Sequence, residues 1–331
     1  MKNRYLIILG AGPDQIPAYL EAKRLGIKTI AVDYNPDSIA FKYADKNLFA
    51  SVKHKEETIC RLKELGESFL GVMTLGVEIS PVVAAVAKEF SLIAVTEDTA
   101  FLTTNKCARN TKLKQACIPI ASYQILDSIE DVSLEYPFVI KPSDNSASRG
   151  VQLVDSQEEL ARVFDISKQF SSDNKILIEE QLVGPEISIE GFMLNSKMHV
   201  TGFADRNYSR NAQFYPFFVE DGSASPSHLP VNIQQEASQV FEAAALALGI
   251  ENGPSKGDLI VTNKGVNVIE ITSRLSGGGF CSRIVPLSAY KTNQCLLVCN
   301  QIFPSLNHIA SVLHYAPVHS VPLNTLCTHQ N

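Results

Sequence analysis

The sequence contains no tryptophan, no Cys-x-x-C pair and no long block of consecutive lysines and arginines. Proteins bind nucleic acid through clustered basic residues and through aromatic side chains that stack on the bases. Because the sequence has no basic cluster and no tryptophan, we expect no nucleic-acid partner. The net charge of −6, from 29 basic and 35 acidic residues, favours the same conclusion. The seven cysteines are an odd number without metal-ligand spacing. They predict neither a disulfide framework nor a zinc site and are typical of a reducing, cytoplasmic compartment.

Long apolar runs are also missing. The longest, such as residues 5–9 and 243–248, are far shorter than the roughly 20 residues that cross a bilayer. Hydrophobic residues nevertheless make up 45% of the chain and charged residues only 19%, which is enough apolar surface for a packed core. We therefore expect a globular cytoplasmic protein of two or three domains with no membrane partner. Cys295 and Cys299, four residues apart, are expected to pack in its core.

The first part of the chain alternates strands with helices. Residues 4–9 form a continuous apolar run, residues 16–25 have a helical pattern, and residues 28–32 form a second apolar run that ends at Asp33. This succession predicts a βαβ unit and a parallel, Rossmann-like α/β domain over residues 1–97. Further strands are predicted at residues 71–75 and 91–95, and further helices at residues 58–65 and 80–89.

Gly10-Ala11-Gly12, followed by Asp33, imitates the fingerprint of a dinucleotide-binding domain. The third glycine is missing, because Gln15 stands where the fingerprint needs it. The motif is therefore compatible with an NAD-dependent oxidoreductase and equally with a simple turn at the mouth of a sheet.

The rest of the chain has an α+β pattern. The residues predict two hairpins, over residues 186–204 and 257–272, and a long helix over residues 232–248. Residues 205–230 are rich in Asn, Ser, Pro and Gly and are too long for an ordinary connection, which indicates a mobile lid. Further helices are expected at residues 105–116 and 157–170, and strands at residues 136–141, 151–154 and 176–180.

The hairpin at residues 257–272 carries a row of functional groups. A turn centred near Lys264 places Asp258 opposite Glu270, and like charges at such a distance need a cation between them. Thr272 and Arg274 follow on the same face by the period of two. Carboxylate and hydroxyl oxygens suit Mg²⁺ or Mn²⁺, although a solvent-exposed face screened by Arg274 would explain the same residues.

A lysine and a loop of small residues suggest a phosphate site. Lys141 ends an apolar strand, and residues 143–150 after it are rich in Ser and Asn and include Arg149. Backbone amides and hydroxyls of such loops approach phosphate oxygens closely, although a plain surface turn has the same composition. At residues 176–186 two acids, Glu179 and Glu180, end a buried strand, and only one of them can point into a cleft.

In this order these motifs resemble the ATP-grasp superfamily: Lys106 on a helix, Lys141 before the Ser-rich loop, Glu-Glu-x-Leu-x-Gly-x-Glu, and the acidic hairpin with Arg274. Within the superfamily, the stretch from Gly253 to Gly279 is most similar to L-amino-acid ligases and carbamoyl-phosphate-synthase-like ligases. The resemblance implies an N-terminal domain over residues 1–97. Two ATP-grasp subdomains would follow, over residues 98–183 and 184–331, and the second would carry the metal-binding hairpin.

The resemblance also implies roles for single residues. Arg274 would face the transferred phosphoryl group, and Asp258, Glu270 and Thr272 would hold the metal. By their position near the lid and the run of glycines, Arg206, Arg210 and Arg283 are each candidates to bind a substrate carboxylate, and Arg283 is favoured. The residues expected to bind ATP are Lys106, Lys141, Ser146, Ser148, Arg149, Gly150, Glu179, Glu180, Leu182 and Glu186. Two departures stand out, since relatives usually carry Asn at the position of Thr272 and Gly at the position of Ala147.

The implied activity is ATP- and Mg²⁺-dependent ligation of a small carboxylate, such as an amino acid, to an amine through an acyl phosphate. The expected partners are therefore small-molecule carboxylate and amine substrates, with a monomer and a homodimer both open. The same residues would also serve an enzyme that stops at phosphoryl transfer, as a kinase or a carbamoyl phosphate former does. An NAD-dependent oxidoreductase and a silent nucleotide-binding protein complete the functions that the sequence leaves open.

Overall fold

The computed structural model describes residues 4–289. The expected packing of Cys295 and Cys299 and the end of the segment 184–331 lie outside these residues. Within them the chain forms three sheets, one parallel and two antiparallel. This arrangement confirms the predicted fold class, an α/β unit followed by an α+β region. No helix among residues 4–289 is long and apolar enough to cross a membrane.

The first sheet is parallel, with strand order β3-β2-β1-β4. Residues 5–9 are buried throughout because apolar clusters cover both faces of the sheet, which explains their uninterrupted apolar sequence. The strands are β1 (Arg4–Leu9), β2 (Lys28–Asp33), β3 (Lys46–Phe49) and β4 (Ser68–Thr74). The helices around them are α1 (Ile16–Arg24), α2 (Lys55–Glu64) and α3 (Ser80–Glu89).

One prediction for this unit is wrong, and one of its strands was not predicted. Residues 91–95 form no strand, since they lie partly exposed at the surface without a neighbouring strand to pair with. The short edge strand β3 was not expected, because its polar sequence lacks both an apolar run and a clear alternation.

Two helices lead from the first sheet to the second. In α4 (Glu97–Thr104) the side chain of Thr96 caps the first turn, and in α5 (Lys106–Gln115) the side chain of Asn105 does the same. The second sheet is antiparallel, with order β5-β8-β6-β7, and packs against α6 (Gln157–Lys168). Its strands are β5 (Tyr123–Leu126), β6 (Phe138–Pro142), β7 (Gln152–Val154) and β8 (Ile176–Glu180).

The third sheet is antiparallel, with order β11-β10-β9-β12-β13, and buries one face against α7 (Val231–Ala247). A π-helical turn at Phe280–Ile284 and the short helix α8 (Val285–Ala289) complete the described chain. The strands of the sheet are β9 (Glu186–Leu194), β10 (Lys197–Asn207), β11 (Gly222–Ala224), β12 (Gly253–Thr262) and β13 (Gly265–Thr272). Both predicted hairpins are confirmed.

The third sheet and the segment after it contribute residues to the apolar core on one face of the parallel sheet. Phe192 of β9 and Leu275, which follows β13, share one apolar cluster with Leu6 and Ile8 of β1. Residues 276–279, which we call the glycine-rich loop, lie against the carboxyl edge of the parallel sheet, because Gly76 packs on Gly277 and Asp14 accepts a hydrogen bond from the amide of Gly278.

Candidate active site

A pocket of about 330 Å³ lies between the second and third sheets, and we call it the intersheet pocket. Such a volume suits a small organic ligand. It brings together most of the residues that the sequence singled out. Those predicted residues are Lys106, Lys141, Ser146, Ser148, Glu179, Glu180, Leu182, Glu186, Asp258, Glu270 and Arg274.

The acidic hairpin has the predicted pairing for a reason that the sequence did not reveal. The turn is centred between Asn263 and Lys264, so a regular ladder would pair Asp258 with Ile269. A β-bulge between Asp258 and Leu259 adds Ile269 as an extra residue and shifts the register, which brings Asp258 opposite Glu270. The bulge also frees the carbonyl of Ile269, which accepts a hydrogen bond from Arg109 at 3.3 Å.

Two cations from α5 surround Glu270. Its Oε1 lies 3.3 Å from Nη1 of Arg109 and 3.8 Å from Nζ of Lys106. Burial alone would raise the pKa of the Glu270 carboxyl, but the charges of Lys106 and Arg109 outweigh it and hold that pKa well below its usual range. Glu270 is therefore a carboxylate under all physiological conditions.

Asp258 has a matching arrangement. Its carboxylate lies 3.2 Å from Nη1 of Arg206, contacts Nζ of Lys256 and accepts a hydrogen bond from Oγ of Ser188 at 2.7 Å. Burial raises the pKa of Asp258, and the charges of Lys256 and Arg206 more than reverse that effect. The opposed acids are thus kept ionised by protein cations on both sides.

Both strand-end glutamates line the pocket, one of them buried and the other exposed. Glu179 is buried and contacts Nζ of Lys141, and its Oε1 accepts a hydrogen bond from Asn110 at 2.6 Å. Glu180 is exposed at the rim of the pocket. Farther along, burial raises the pKa of Glu186, whose carboxylate lies 3.7 Å from Arg206.

The loop of residues 143–150 closes one side of the pocket. Lys106 donates a hydrogen bond to the carbonyl of Asn145, and the Asn145 amide donates to Phe170 at 2.8 Å. Ala147 and Ser148 have φ values of 58° and 53°, in the left-handed region. A side chain there costs about 1–2 kcal/mol per residue, which gives a physical reason why glycine suits the position of Ala147.

Four predicted site residues do not line the pocket. Arg149 turns outward to Asn145 and Ser146 of its own loop. The backbone of Gly150 packs so close to Pro142 and Phe170 that no side chain fits there.

The other two predicted site residues that do not line the pocket are Thr272 and Arg283. Thr272, at the end of β13, is fully buried, and its Oγ1 has no hydrogen-bond partner. Arg283 lies beyond that strand, and its guanidinium lies over Gly279 instead of facing the pocket. Their expected contacts with a ligand stay predictions.

Arg274 reaches back to the first unit. Its Nε donates to Oε2 of Glu78 at 2.6 Å, across 196 positions of sequence. Next to this pair, the backbone amide of Gly278 donates to Asp14 at 3.0 Å. The carboxyl edge of the parallel sheet thus supplies side chains beside the pocket.

Sequence reasoning missed several of these residues. Arg109 follows Lys106 by three positions on a helix, so the i, i+3 spacing could have placed both on one face. Lys256 precedes Asp258 by two positions on one strand, which gives the same kind of signal. Arg206 was considered only as a carboxylate ligand. No local signal marked Glu78, because its partner is distant in sequence.

The segment of residues 205–230 covers the pocket from the side of β10. Tyr208 and Phe218 line the pocket, and the carbonyl of Pro216 accepts a hydrogen bond from the backbone of Leu153 at 2.8 Å. The hydroxyl of Tyr215 donates to Asp155 at 2.6 Å. The segment therefore joins the two antiparallel sheets across the entrance.

Protein groups close the glycine turn that imitates a dinucleotide site. Gln15 Oε1 accepts from the amide of Gly12 at 2.8 Å, and Asp33 accepts from the amides of Ala11 at 2.8 Å and Asn35 at 3.0 Å. The acid that would bind a ribose is thus used to hold the turn, and Gln15 fills the turn itself. These contacts argue against an NAD-dependent oxidoreductase.

Two antiparallel sheets with a ligand-sized pocket between them, preceded by a parallel α/β unit, define an ATP-grasp-type architecture. Residues 134–283 match the family described as ATP-grasp domain. This match agrees with the resemblance that the sequence motifs carry.

Known proteins resemble most of the chain. It is 21% identical over 249 residues to the formate-dependent phosphoribosylglycinamide formyltransferase of Wolinella succinogenes, covering 74% of this chain and 63% of that protein. It is 23% identical over 303 residues to the carbamoyl phosphate synthase large chain of Clostridium botulinum, covering 83% of this chain and 27% of that protein. The chain thus spans less than two thirds of either relative.

Among solved structures, an L-amino acid ligase from Bacillus licheniformis superposes with a TM-score of 0.77 at 24% sequence identity. The superposition covers 91% of this chain and 75% of that one. At this level of identity the likeness establishes the fold.

Proposed function

We propose that the protein is an ATP- and Mg²⁺-dependent ligase that joins a small carboxylate to an amine through an acyl phosphate, with release of ADP. The observation that carries the proposal is the pair of opposed acids, Asp258 and Glu270, in one pocket with Lys106 and Lys141. Carboxylates for a metal and cations for phosphates are what phosphoryl transfer needs. The name of one similar solved structure, an L-amino acid ligase, supports the same class.

The donor set fits a divalent metal that is shared with a nucleotide. Asp258 and Glu270 offer carboxylate oxygens, and Thr272 adds a buried hydroxyl that has no partner. Among residues 4–289 no group of three or more His, Cys, Asp or Glu side chains could hold a metal. Mg²⁺ or Mn²⁺ typically completes its shell with phosphate oxygens and water, and it would neutralise negative charge on the phosphates.

The remaining groups divide by position along the pocket. Lys106 and Lys141 would bind phosphate oxygens under the loop that carries Ser146 and Ser148. Glu180 and Leu182 also line the pocket, and a flat base would pair with the exposed main-chain groups there. Glu179 would hold Lys141 through their ion pair and lie beside the base, and Glu186 would bind the ribose hydroxyls. Arg274 would face the transferred phosphoryl group. Arg149, Gly150 and Arg283 do not line the pocket and would contact the ligands only from its outside.

The chemistry needs no protein nucleophile. An oxygen of the substrate carboxylate attacks the γ-phosphorus, the bond to the ADP oxygen breaks, and an acyl phosphate forms. The electron pair of a neutral amine then forms the C–N bond at the acyl carbon, the C–O bond breaks, and phosphate leaves. The proton that the nitrogen loses passes to the departing phosphate or to water. Lys106, Lys141 and Arg274 stabilise the negative charge on the transferred group and hold it in place.

ADP release from MgATP tests this function. Purified protein is supplied with amino acids and other small acids, first singly and then in pairs with amines. Release of ADP with pairs alone supports the ligase, and the amide product is then identified by mass spectrometry. Release with a single acid instead favours phosphoryl transfer that stops at the acyl phosphate. Nucleotide binding without any ADP release would contradict both.

The substitution Glu270→Gln should lower the rate of ADP release by at least about 100-fold, because it removes one of two carboxylates that hold the metal. Glu236→Gln is the matched control, since this glutamate accepts a hydrogen bond from the backbone of Val266 on the same hairpin at 2.8 Å but lies outside the pocket. Unchanged turnover in the Glu270 variant would contradict the proposed site.

A further inference from the structure

A carboxylate outside the intersheet pocket joins the two segments that carry the lysines proposed to bind phosphate. Asp173 lies in the turn between α6 and β8 and does not line the pocket. Its Oδ1 accepts hydrogen bonds from Oγ of Ser143 at 2.5 Å and from Oγ of Ser171 at 2.8 Å, and its Oδ2 accepts one from the side-chain amide of Asn105 at 3.2 Å. The proposed function assigns no role to any of these four residues.

The three side chains that donate to Asp173 are buried, although Asp173 itself lies at the surface. Ser143 is fully buried, and Asn105 and Ser171 are each 7% exposed. Buried donors need an acceptor, because an unpaired one keeps the full cost of its desolvation. Burial raises the pKa of Asp173, but the hydrogen bonds from Ser143 and Ser171 help to outweigh it and lower that pKa. Asp173 is therefore an ionised acceptor on which three buried side chains converge.

On one side, Asp173 fixes the start of α5. Asn105 caps this helix, since its Oδ1 accepts a hydrogen bond from the backbone amide of Ala108 at 3.0 Å. The amide nitrogen of the same side chain donates to Asp173, so the carboxylate determines which way the capping group faces. Lys106 is the first residue of the helix. A change at Asp173 therefore reaches Lys106 through the cap.

On the other side, Asp173 holds the end of β6. Ser143 follows this strand directly, two residues after Lys141, and its backbone carbonyl accepts a hydrogen bond from the backbone amide of Lys106 at 2.6 Å. The start of α5 and the end of β6 thus meet at one junction, which Asp173 crosses with its side chain. Because Lys106 and Lys141 both line the pocket, this junction sets how far apart their backbones lie.

We propose that Asp173 is a positioning residue for nucleotide binding, because it joins Asn105 to Ser143 and thereby fixes the separation of Lys106 and Lys141. The inference rests on the proposed function for the assignment of the two lysines to phosphate oxygens. Cations that bind one row of phosphates need a fixed separation, since a displacement of about 1 Å at a reacting site can cost roughly 100-fold in rate. Asp173 touches no ligand itself, so its loss should weaken only the interactions that these lysines make.

An exchange of two side chains tests the hydrogen bond between Asp173 and Asn105. In Asp173→Asn an amide group replaces one carboxylate oxygen, so that two donors face each other. In Asn105→Asp two carboxylates face each other. The double variant Asp173→Asn/Asn105→Asp places a donor opposite an acceptor again, keeps the net charge and keeps an oxygen for the amide of Ala108. Recovery in the double variant is therefore specific to this contact.

Calorimetry of the full chain compares a non-hydrolysable ATP analogue with Mg²⁺ against adenosine, which has the base and the ribose but no phosphates. Asp173→Asn should weaken the binding of the ATP analogue by about tenfold and change the affinity for adenosine by less than about twofold. The lost negative charge alone would strengthen the binding of phosphates, so a weaker affinity reports the geometry. The double variant should regain most of the lost affinity.

Asp45→Asn is the matched control, since this exposed acid accepts a hydrogen bond from the backbone of Thr29 at 2.8 Å and does not line the pocket. An Asp173→Asn variant that binds the ATP analogue as tightly as the unaltered protein would overturn the proposal. Equal losses for the ATP analogue and adenosine would overturn it too, as would a double variant without recovery. If the unaltered protein does not bind the ATP analogue, the proposed function itself fails, which is a separate result.

Discussion

At the scale of single residues, the two opposed acids of the pocket are ionised, and cationic side chains of the protein balance their negative charge. Asp258 is held by Arg206 and Lys256, and Glu270 is held by Arg109 and Lys106. The sequence revealed that two like charges face each other and need a cation. It did not reveal that the protein itself supplies four cations, because most of them belong to other elements of the fold.

This charge balance predicts how metal binds. Arg206 forms an ion pair with Asp258, so Mn²⁺ has to compete with it for the carboxylate and should bind weakly to the nucleotide-free protein. Once nucleotide phosphates also attract Arg206, Mn²⁺ should bind more tightly. Arg206→Met should raise the affinity for Mn²⁺ without nucleotide by about fivefold or more, since Asp258 then loses one competing cation. Electron paramagnetic resonance of free Mn²⁺ measures this affinity.

The control for that measurement is Arg210→Met, because Arg210 pairs with Asp221 at 2.8 Å and does not line the pocket. An Arg206 variant with the same or weaker affinity for Mn²⁺ would show that Arg206 does not compete with the metal.

The buried carboxyl of Glu190 predicts a pH dependence of stability. Burial raises its pKa from 4.5 to about 7, so the folded state binds more protons than the unfolded state between these values. The contribution of Glu190 to the free energy of unfolding should therefore fall as pH rises from about 4.5 to 7, by a total of roughly 3 kcal/mol.

Urea denaturation at pH 5 and pH 8 measures this effect. The difference in stability between the unaltered protein and Glu190→Gln should become less favourable to the unaltered protein at pH 8. The same comparison with Glu242→Gln should not depend on pH in this way, since Glu242 accepts a hydrogen bond from the backbone of Met198 at 2.7 Å outside the pocket. A difference in stability for Glu190→Gln that does not change with pH would contradict the raised pKa of Glu190.

At the scale of elements, the acidic hairpin shows both the reach and the limit of the sequence. Alternation and the turn residues placed Asp258 opposite Glu270 correctly, but with the turn centred one half-position away from its true place. The bulge at Ile269 corrected the register. A bulge depends on packing and on Arg109, whose hydrogen bond to the Ile269 carbonyl comes from a different helix, so no pattern within the hairpin announces it.

Other elements were missed for similar reasons. A buried strand with an uninterrupted apolar sequence, such as residues 5–9 of β1, could be read directly because burial on both faces leaves a strong signal. Residues 91–95 have the same kind of sequence without a sheet to join, and β3 joins a sheet with a polar sequence. Strand pairing is decided by tertiary contacts, which short runs do not record.

The turn that connects β8 and β9 predicts a sharp effect on folding. A Cβ atom at Gly184 would lie 1.9 Å from the backbone oxygen of Val261, so Gly184→Ala forces β9 and β12 apart. We expect a loss of stability of about 2–4 kcal/mol, from overpacking together with the positive φ of 156°. Urea denaturation measures it through the midpoint of unfolding.

Gly66→Ala is the control, because Gly66 has φ of 62° but no atom within 4 Å of its Cβ position. This variant should lose only about 1–2 kcal/mol, the cost of the left-handed conformation itself. Equal losses in the two variants would mean that the contact between Gly184 and Val261 is not tight.

At the scale of the whole molecule, the site joins units that are far apart in sequence. Within the described chain, the residues that line the intersheet pocket run from 106 to 274, which agrees with the part of the chain that the sequence motifs marked. The end beside the glycine-rich loop depends on the first unit through Glu78 and Asp14. The sequence could assign the first unit a fold but no role, because its contribution exists only after the domains dock.

This division predicts that docking can be disturbed without loss of nucleotide binding. Gly76, with φ of 70°, follows β4, and a Cβ atom there would lie 2.8 Å from the Cα of Gly277. Gly76→Val should therefore push the carboxyl edge of the parallel sheet away from the glycine-rich loop and separate Glu78 from Arg274. Turnover in the ADP-release assay should fall by roughly tenfold or more, since small misplacements at a reacting site are costly.

Nucleotide affinity should stay within about twofold of the unaltered protein, because no described residue of the first unit lines the intersheet pocket and no nucleotide contact is removed. Gly26→Val is the matched control. Gly26 also has φ of 70°, but it precedes β2 at the opposite edge of the same sheet and has no atom within 4 Å of its Cβ position. Both variants share the conformational cost, so a loss of turnover confined to Gly76→Val isolates the docking contact. A parallel loss of nucleotide affinity would instead place the first unit in the nucleotide site itself.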